Sequence, residues 1–321
     1  MEKNDKRNYC LDFAKGIACI LVVFMHCEFP GYLGIFMQCI ARFSVPLFFM
    51  ISGYFCYKKN GTADYKKKIR HILDIIIYGS VLYGILAIVL QELHPLTLKM
   101  IMNWIIFNTP TIIASQMWFL FALLYDYILF AFIEKHHLHK FAYLCIPFFI
   151  LVYIFMAQGL HLMGIEIENM RYRNFLIEGF PLFTLGYWFH ENQEKIRIPD
   201  KVLIAVMIVT TLLCPVERAL VGRDFGVNIV TFPQVISIFL FCLNHPELGK
   251  GSRMAQFGAK YSMYMYLFHP AIWRLLKKVY KFLYLRSNLV AQYMMPILCV
   301  SFTCLLSYAF LEVKKKLGKQ S

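Results

Sequence analysis

The sequence predicts an all-α membrane protein: about ten transmembrane helices in a single bundle, with the N- and C-termini cytoplasmic. Two observations carry the fold class. Of the 321 residues 59% are hydrophobic, and apolar stretches recur about every thirty positions, separated mainly by short charged loops. The third observation, the gathering of lysine and arginine in alternate loops, carries the orientation. A soluble protein of this length buries a large core without so many apolar runs near bilayer length, and runs this uniform lack the alternation of a transmembrane barrel.

Along the chain, spans are expected at 10–28, 37–57, 71–91, 116–133, 141–159, 174–190, 200–215, 228–244, 260–281 and 289–312. The first contains Asp12 and Lys15 and lacks a small-residue cleavage site, so it is expected to be retained as a span rather than removed as a signal peptide. In the second, Pro46 is expected to kink the helix, and Ser52 and Gly53 to allow close helix contact. The apolar stretch 100–113 is broken by Asn103, Asn108 and Pro110 and reads as a re-entrant or interfacial piece. The seventh span is short. With no internal repeat, low-complexity tract or soluble appendage visible, residues 1–321 are expected to form one integral membrane domain.

Basic loops stay on the cytoplasmic side. An even number of spans puts Lys3, Lys6, Arg7, the run Lys58 to Arg70, Lys135, Lys140, Lys195, Arg197, Lys201, Lys250, Arg253, Lys260 and the tail Lys314 to Lys319 on one face. That face carries about 21 basic residues against about 10 opposite. Lys277, Lys278, Lys281 and Arg286 run counter to the rule and imply a ninth loop touching anionic headgroups or a displaced last span. Topology accounts for the net charge of +14 without a nucleic acid. The cluster Lys66, Lys67, Lys68 and Arg70 suits the phosphates of a cytoplasmic anion as well as anionic lipid.

The ten cysteines are scattered singly, mostly inside apolar runs, and read as small core hydrophobes, although Cys27 and Cys39 fall close enough to approach each other. His136, His137 and His139 lack a carboxylate or thiol at ligand spacing, so no metal is expected.

The polar residues inside spans carry the chemistry. His26 closes the apolar run Gly16–Met25, where an ionisable side chain is expensive. Lys15 lies eleven residues earlier, on the same helix face and about 16 Å away along the axis, so the two can bracket an extended ligand. Asp12 is one turn from Lys15 and can pair with it. Arg42 re-enters in the second span at a depth similar to that of His26. Trp118 can line a ligand path or sit as an interfacial aromatic, His269 falls about one third into the ninth span, and Glu178, Asp74 and Asp126 lie in spans or at their ends without an evident role.

These residues also carry a resemblance. Leu11-Asp12 through Lys15-Gly16-Ile17, with ten residues between Lys15 and His26, followed by Phe43-Ser44-Val45-Pro46-Leu47-Phe48-Phe49 and Ile51-Ser52-Gly53-Tyr54, resembles the membrane-bound acyltransferase 3 family. Met117-Trp118-Phe119-Leu120, Phe183 to Gly186-Tyr187, and Tyr261-Ser262 through Tyr266-Leu267-Phe268-His269-Pro270 are similar to its later segments. A second basic motif is present only as Lys68-Ile69-Arg70-His71, without the usual arginine pair and following proline.

The resemblance implies a cell-membrane enzyme, of the bacterial cytoplasmic membrane, that moves an acyl group, usually acetyl, from cytoplasmic acyl-coenzyme A to a hydroxyl of a sugar, glycan or lipid-linked saccharide. The coenzyme is then a donor substrate, with no permanently bound cofactor. His26 suits the base or the acyl carrier, Arg42 the developing charge or the acceptor, and Lys15, Lys68 and Arg70 the coenzyme, with Asp12, Trp118 and His269 as further substrate contacts. The rival class is a transporter or flippase of a glycan or lipid-linked precursor, since charged residues in a bundle also mark transport pathways, but repeated halves and paired broken helices are not visible.

The orientation is open to direct test. In a cysteine-free background, Gly31→Cys is expected to react with an impermeant thiol reagent in intact cells and Lys66→Cys is not; the reverse labelling would invert the topology.

Overall fold

Helices dominate because a backbone surrounded by lipid must satisfy its own hydrogen bonds within each segment. The computed structural model describes residues 7–59, 61–93, 95–110 and 114–317, and no strand occurs among the described residues. Lys3, Lys6, Lys319 and positions 111–113 of the broken apolar stretch lie outside them. In chain order the helices are α1 (Tyr9–His26), α2 (Gly31–Ala41), α3 (Ser44–Tyr54), α4 (Tyr65–Val89), α5 (Leu98–Phe107), α6 (Trp118–Lys135) and α7 (His139–Ile154). A π-helical turn, Phe155–Gly159, leads from α7 into α8 (Leu160–Leu162), and a second, Phe175–Gly179, opens α9 (Phe180–Asn192). Then follow α10 (Asp200–Val221), α11 (Thr231–Asn244), α12 (Arg253–Phe282) and α13 (Leu289–Leu317).

Among the described residues, seven segments are long and apolar enough to cross a membrane: Tyr9–His26, Gly31–Tyr54, Tyr65–Val89, Ser115–Lys135, His139–Leu162, Asp200–Val221 and Leu289–Lys316. The sixth, eighth and ninth expected spans are helical without joining that set. Of these, α11 has 14 residues and α12, at 30 residues, is rich in lysine and arginine.

Several boundaries differ from the sequence reading, among them the start of α4, at Tyr65 rather than 71, where the Asp64 carboxylate caps the helix by accepting from the Lys67 N–H. The second span starts at Gly31, not 37, and breaks at Arg42-Phe43 instead of kinking at Pro46. Pro46 stands in the first turn of α3, where the missing N–H has no helical partner to lose. Helix α10 continues past Pro215 to Val221, so the seventh span is not short. Helix α12 begins at Arg253 because the Ser252 hydroxyl caps it, accepting from the Ala255 N–H at 3.1 Å. It also runs on through Lys277, Lys278 and Lys281, which are therefore helical residues rather than a loop; the Lys277 ammonium lies 3.5 Å from the Trp273 ring centroid. The stretch after 97 is a separate short helix, α5, ended by Asn108 at φ 47°.

The helices fall into two compact units. The first comprises the chain up to Ser44, Pro199–Arg218 and everything from Val230 onward. Its centre is the packing of α1 on α12. A Cβ at Gly258 would overlap the Asp12 carbonyl, and one at Gly16 would come within 2.7 Å of the Met254 carbonyl and sulfur, so the two backbones nearly touch. Small residues at such a crossing are what let helices associate where lipid removes the hydrophobic drive. The contacts advance in the same direction along both helices, which are therefore parallel. The start of α1 is pinned by Asn8, whose Oδ1 accepts from Leu11 N–H at 2.9 Å while its Nδ2 donates to the Cys242 carbonyl at 2.8 Å. Arg218 donates to Gln38 Oε1 at 2.7 Å, tying α10 to α2. Cys214 donates to the Cys39 carbonyl, and Cys27 lies against Cys299.

The second unit comprises Val45–Ile198 and Ala219–Ile229. Here α3 and α9 cross reciprocally: a Cβ at Gly53 would overlap the Phe183 carbonyl, and one at Gly186 the Met50 carbonyl. The expected close contact at Gly53 is thus present. Phe130, Phe183 and Tyr187 stack beside it, with centroids 4.6 and 5.3 Å from the Phe130 ring.

Gly258→Ala is expected to destabilise the purified protein by about 1–3 kcal/mol, the usual cost of overpacking, seen as a lower thermal midpoint in detergent. Gly84→Ala, whose Cβ meets nothing within 4 Å, is the control and is expected to be neutral or stabilising by about 0.5–1 kcal/mol.

Candidate active site

Helix α1 presents its polar residues at its two ends. At the start, the Asp12 carboxylate is nearly buried, with 9% of its side chain exposed, and accepts from Lys15 Nζ at 2.7 Å and from Arg7 Nε at 2.6 Å. The Asp12–Lys15 pair is the one that their spacing implies. Arg7 is a second partner that sequence reasoning assigned to topology alone, because it precedes the helix and has no helical spacing to betray it. Two cations on one buried carboxylate fix its position.

At the other end, His26 is half-buried in the last turn. Its ring centroid lies 5.1 Å from that of His269, with the planes 32° apart. His269 is fully buried on α12, and its Nδ1 lies 3.0 Å from the Met265 carbonyl oxygen. A carbonyl can only accept, so Nδ1 carries the proton and Nε2 is left as the basic nitrogen. That Nε2 is buried and has no hydrogen-bond partner among the described residues. The arrangement is an imidazole facing a second imidazole of fixed tautomer, able to take up or hand on a single proton. Sequence placed His269 among the low-ranking contacts; only the α1–α12 packing shows it beside His26.

Arg42 occupies the break between α2 and α3 and is half-buried, with Phe43 and Ser44 buried after it. Lys15 and His26 remain at opposite ends of α1, on one face, as their spacing requires.

In the second unit, Lys68 is half-buried, with its ammonium 5.7 Å from the Tyr127 ring centroid, whereas Arg70 is exposed. Residues two apart on a helix point about 200° away from each other, so α4 sends these two cations to different sides. Trp118 opens α6, and the Arg173 guanidinium lies 4.7 Å from its ring centroid. Asn108 fixes this corner: its Nδ2 donates to the Trp118 carbonyl at 2.9 Å and its Oδ1 accepts from Phe175 N–H at 2.8 Å. Arg173 was not singled out from sequence; its only signal was a basic residue immediately before the expected sixth span. Asp126 and Glu178 are deeply buried and Asp74 is exposed.

Long apolar helices, a buried ion-paired aspartate and a histidine pair define an integral membrane protein with groups fit for proton transfer. Against known proteins, the family model for acyltransferase 3, described as an acyltransferase domain, matches residues 8–311. The chain belongs to this family, and it is a membrane acyltransferase. No curated protein and no solved structure matches it.

Asp12→Asn is expected to cost about 1–3 kcal/mol in thermal unfolding, because it strips both cations of their shared partner. Arg7→Gln, which leaves the Lys15 pair in place and alters a side chain 49% exposed, is expected to cost less than about 1 kcal/mol.

Proposed function

We propose that the protein moves an acyl group, acetyl in the first instance, from acyl-coenzyme A on the cytoplasmic side to a hydroxyl of a sugar or cell-surface glycan. The observation that carries the reading is the histidine pair, His26 beside the bare Nε2 of His269. Family membership supplies the reaction class.

Acyl transfer needs a base for the hydroxyl proton, a partner for the oxyanion and a route for a long anionic donor. His26 takes the hydroxyl proton as the oxygen attacks the thioester carbonyl; when the C–S bond breaks, the proton passes to the departing thiolate. On the covalent alternative, the His26 nitrogen attacks the thioester carbonyl first, the C–S bond breaks to release the thiolate, and the acyl group then passes to the acceptor oxygen, whose proton ends on that thiolate. Either route passes through a positively charged His26, and His269 is the positioning residue whose ring lies against it. Arg42 stabilises the developing oxyanion or orients the acceptor. Lys15, held by Asp12, grips a polar part of the coenzyme arm. Trp118 with Arg173 offers an aromatic face and a cation to a sugar. Lys68 and Arg70, on different sides of α4, are placed at the phosphates of the donor.

His26→Ala is expected to lower glycan acylation by about 10²–10⁴ with acetyl-coenzyme A affinity retained. Lys15→Met is expected to raise the half-saturating donor concentration instead, and His269→Gln to lower turnover without raising it. Acylation at the normal rate by monodisperse His26→Ala protein would overturn the assignment.

A further inference from the structure

One cavity lies at the end of α1 opposite the histidine pair. In the first unit, Arg7, Tyr9, Lys250, Gly251, Gln256 and Lys260 line a hollow of about 330 Å³ where α1 and α12 begin. Three of these side chains are cations and none is acidic. The Tyr9 ring holds two of them, with the Arg7 guanidinium 5.0 Å and the Lys250 ammonium 5.7 Å from its centroid. Gly249 and Gly251, at φ 82° and 78°, form the turn that delivers Lys250; an L side chain is strained at either position.

The nearby carboxylates are already engaged. Asp12 serves Arg7 and Lys15, Glu247 pairs with Lys250 at 2.7 Å, and Glu312, which feels the charge of Lys260, pairs with Lys315 at 2.5 Å. Among the described residues, six cations (Arg7, Lys15, Lys250, Lys260, Lys315 and Lys316) stand against these three carboxylates, and three of the six line the hollow, where an entering anion relieves their charge. Phosphate esters suit such a set, because several oxygens accept at once from guanidinium and ammonium groups. The volume lies at the lower end of the about 300–1,000 Å³ typical of small-molecule sites, which suits one phosphorylated moiety rather than a protein segment. The Gln256 amide adds a donor and an acceptor for the rest of the ligand.

We infer that this hollow binds the phosphate groups of a soluble nucleotide, namely those at the nucleotide end of the donor coenzyme. The inference rests on the reading of acyl-coenzyme A as the donor, and it gives Lys15 a place one turn further along the same helix. Anionic lipid headgroups offer the same phosphate chemistry, so the experiment separates the two sources.

The test uses the full chain in discs of neutral phosphatidylcholine, with adenosine 3′,5′-bisphosphate as probe and acetyl-coenzyme A in parallel. Wild-type protein is expected to bind both, and the Lys250→Gln, Lys260→Gln double variant to bind both at least about tenfold more weakly, the loss of two charge-assisted contacts. Lys195→Gln, a basic residue outside the hollow, is expected to bind as wild type. If the double variant binds both ligands normally, the site is wrong and the donor reading stands. If wild type binds neither ligand, the donor reading fails and takes the inference with it. If wild type retains phosphatidylglycerol in native mass spectrometry, the double variant loses it, and the bisphosphate binds to neither, the hollow serves a lipid headgroup and the nucleotide assignment is overturned.

Discussion

The backbone contact between α1 and α12 at Gly16 and Gly258 sets the position of nearly every polar side chain in the first unit. In lipid, apolar side chains gain little by leaving one another's company, so two helices stay together through close packing. The contact also fixes register. From the Asp12–Gly258 crossing the two helices run in parallel for about three to four turns before His26 meets His269, so a small change at the crossing is carried along both to the ring pair. The same register brings Tyr9 and Arg7 beside the first turn of α12, where the phosphate hollow is inferred.

Around this contact the polar groups are mostly satisfied nearby. Asp12 has two cations, Asn8 bonds to its own helix and to Cys242, and the His269 Nδ1 bonds one turn back to Met265. The His269 Nε2 is an exception, as are Ser44 Oγ, Gln234 Oε1 and Ser307 Oγ in the same unit, none of which has a hydrogen-bond partner among the described residues. An unsatisfied buried acceptor costs about 1–3 kcal/mol, which a merely structural histidine, free to be replaced by an apolar residue, would not need to bear. Its neighbour, His26, sits half-buried in the last turn of α1, whereas His269 is fully buried.

Sequence revealed what depends on local pattern. Helices were legible because the bilayer demands long apolar runs, and the Asp12–Lys15 pair because three residues make one turn. The extent of α12 was misread because its first residues are polar; hydropathy placed the start at 260, although Ser252 carried a readable cap signal. The early start of α2 was hidden by glycines at 31 and 34, which read as a loop. What could not be read was any juxtaposition made by the α1–α12 crossing, since the partners lie at opposite ends of the chain. His269 beside His26 is one case. Arg7, Lys250 and Lys260 are another: counted loop by loop they are topology charges, and only in the fold do they surround one hollow.

The spacing of the histidine pair also limits its charge. Two positive rings 5.1 Å apart repel by about 3 kcal/mol at an effective dielectric of about 20, enough to lower double protonation roughly a hundredfold. The Nδ1 proton of His269 is held by the Met265 carbonyl, so a proton entering the neutral pair goes to one of its other ring nitrogens. Acyl transfer from a thioester to a hydroxyl moves one proton from the acceptor oxygen to the departing sulfur. In the proposed reaction, a pair that resists a second proton fits a step in which one proton leaves the acceptor oxygen and ends on the departing sulfur.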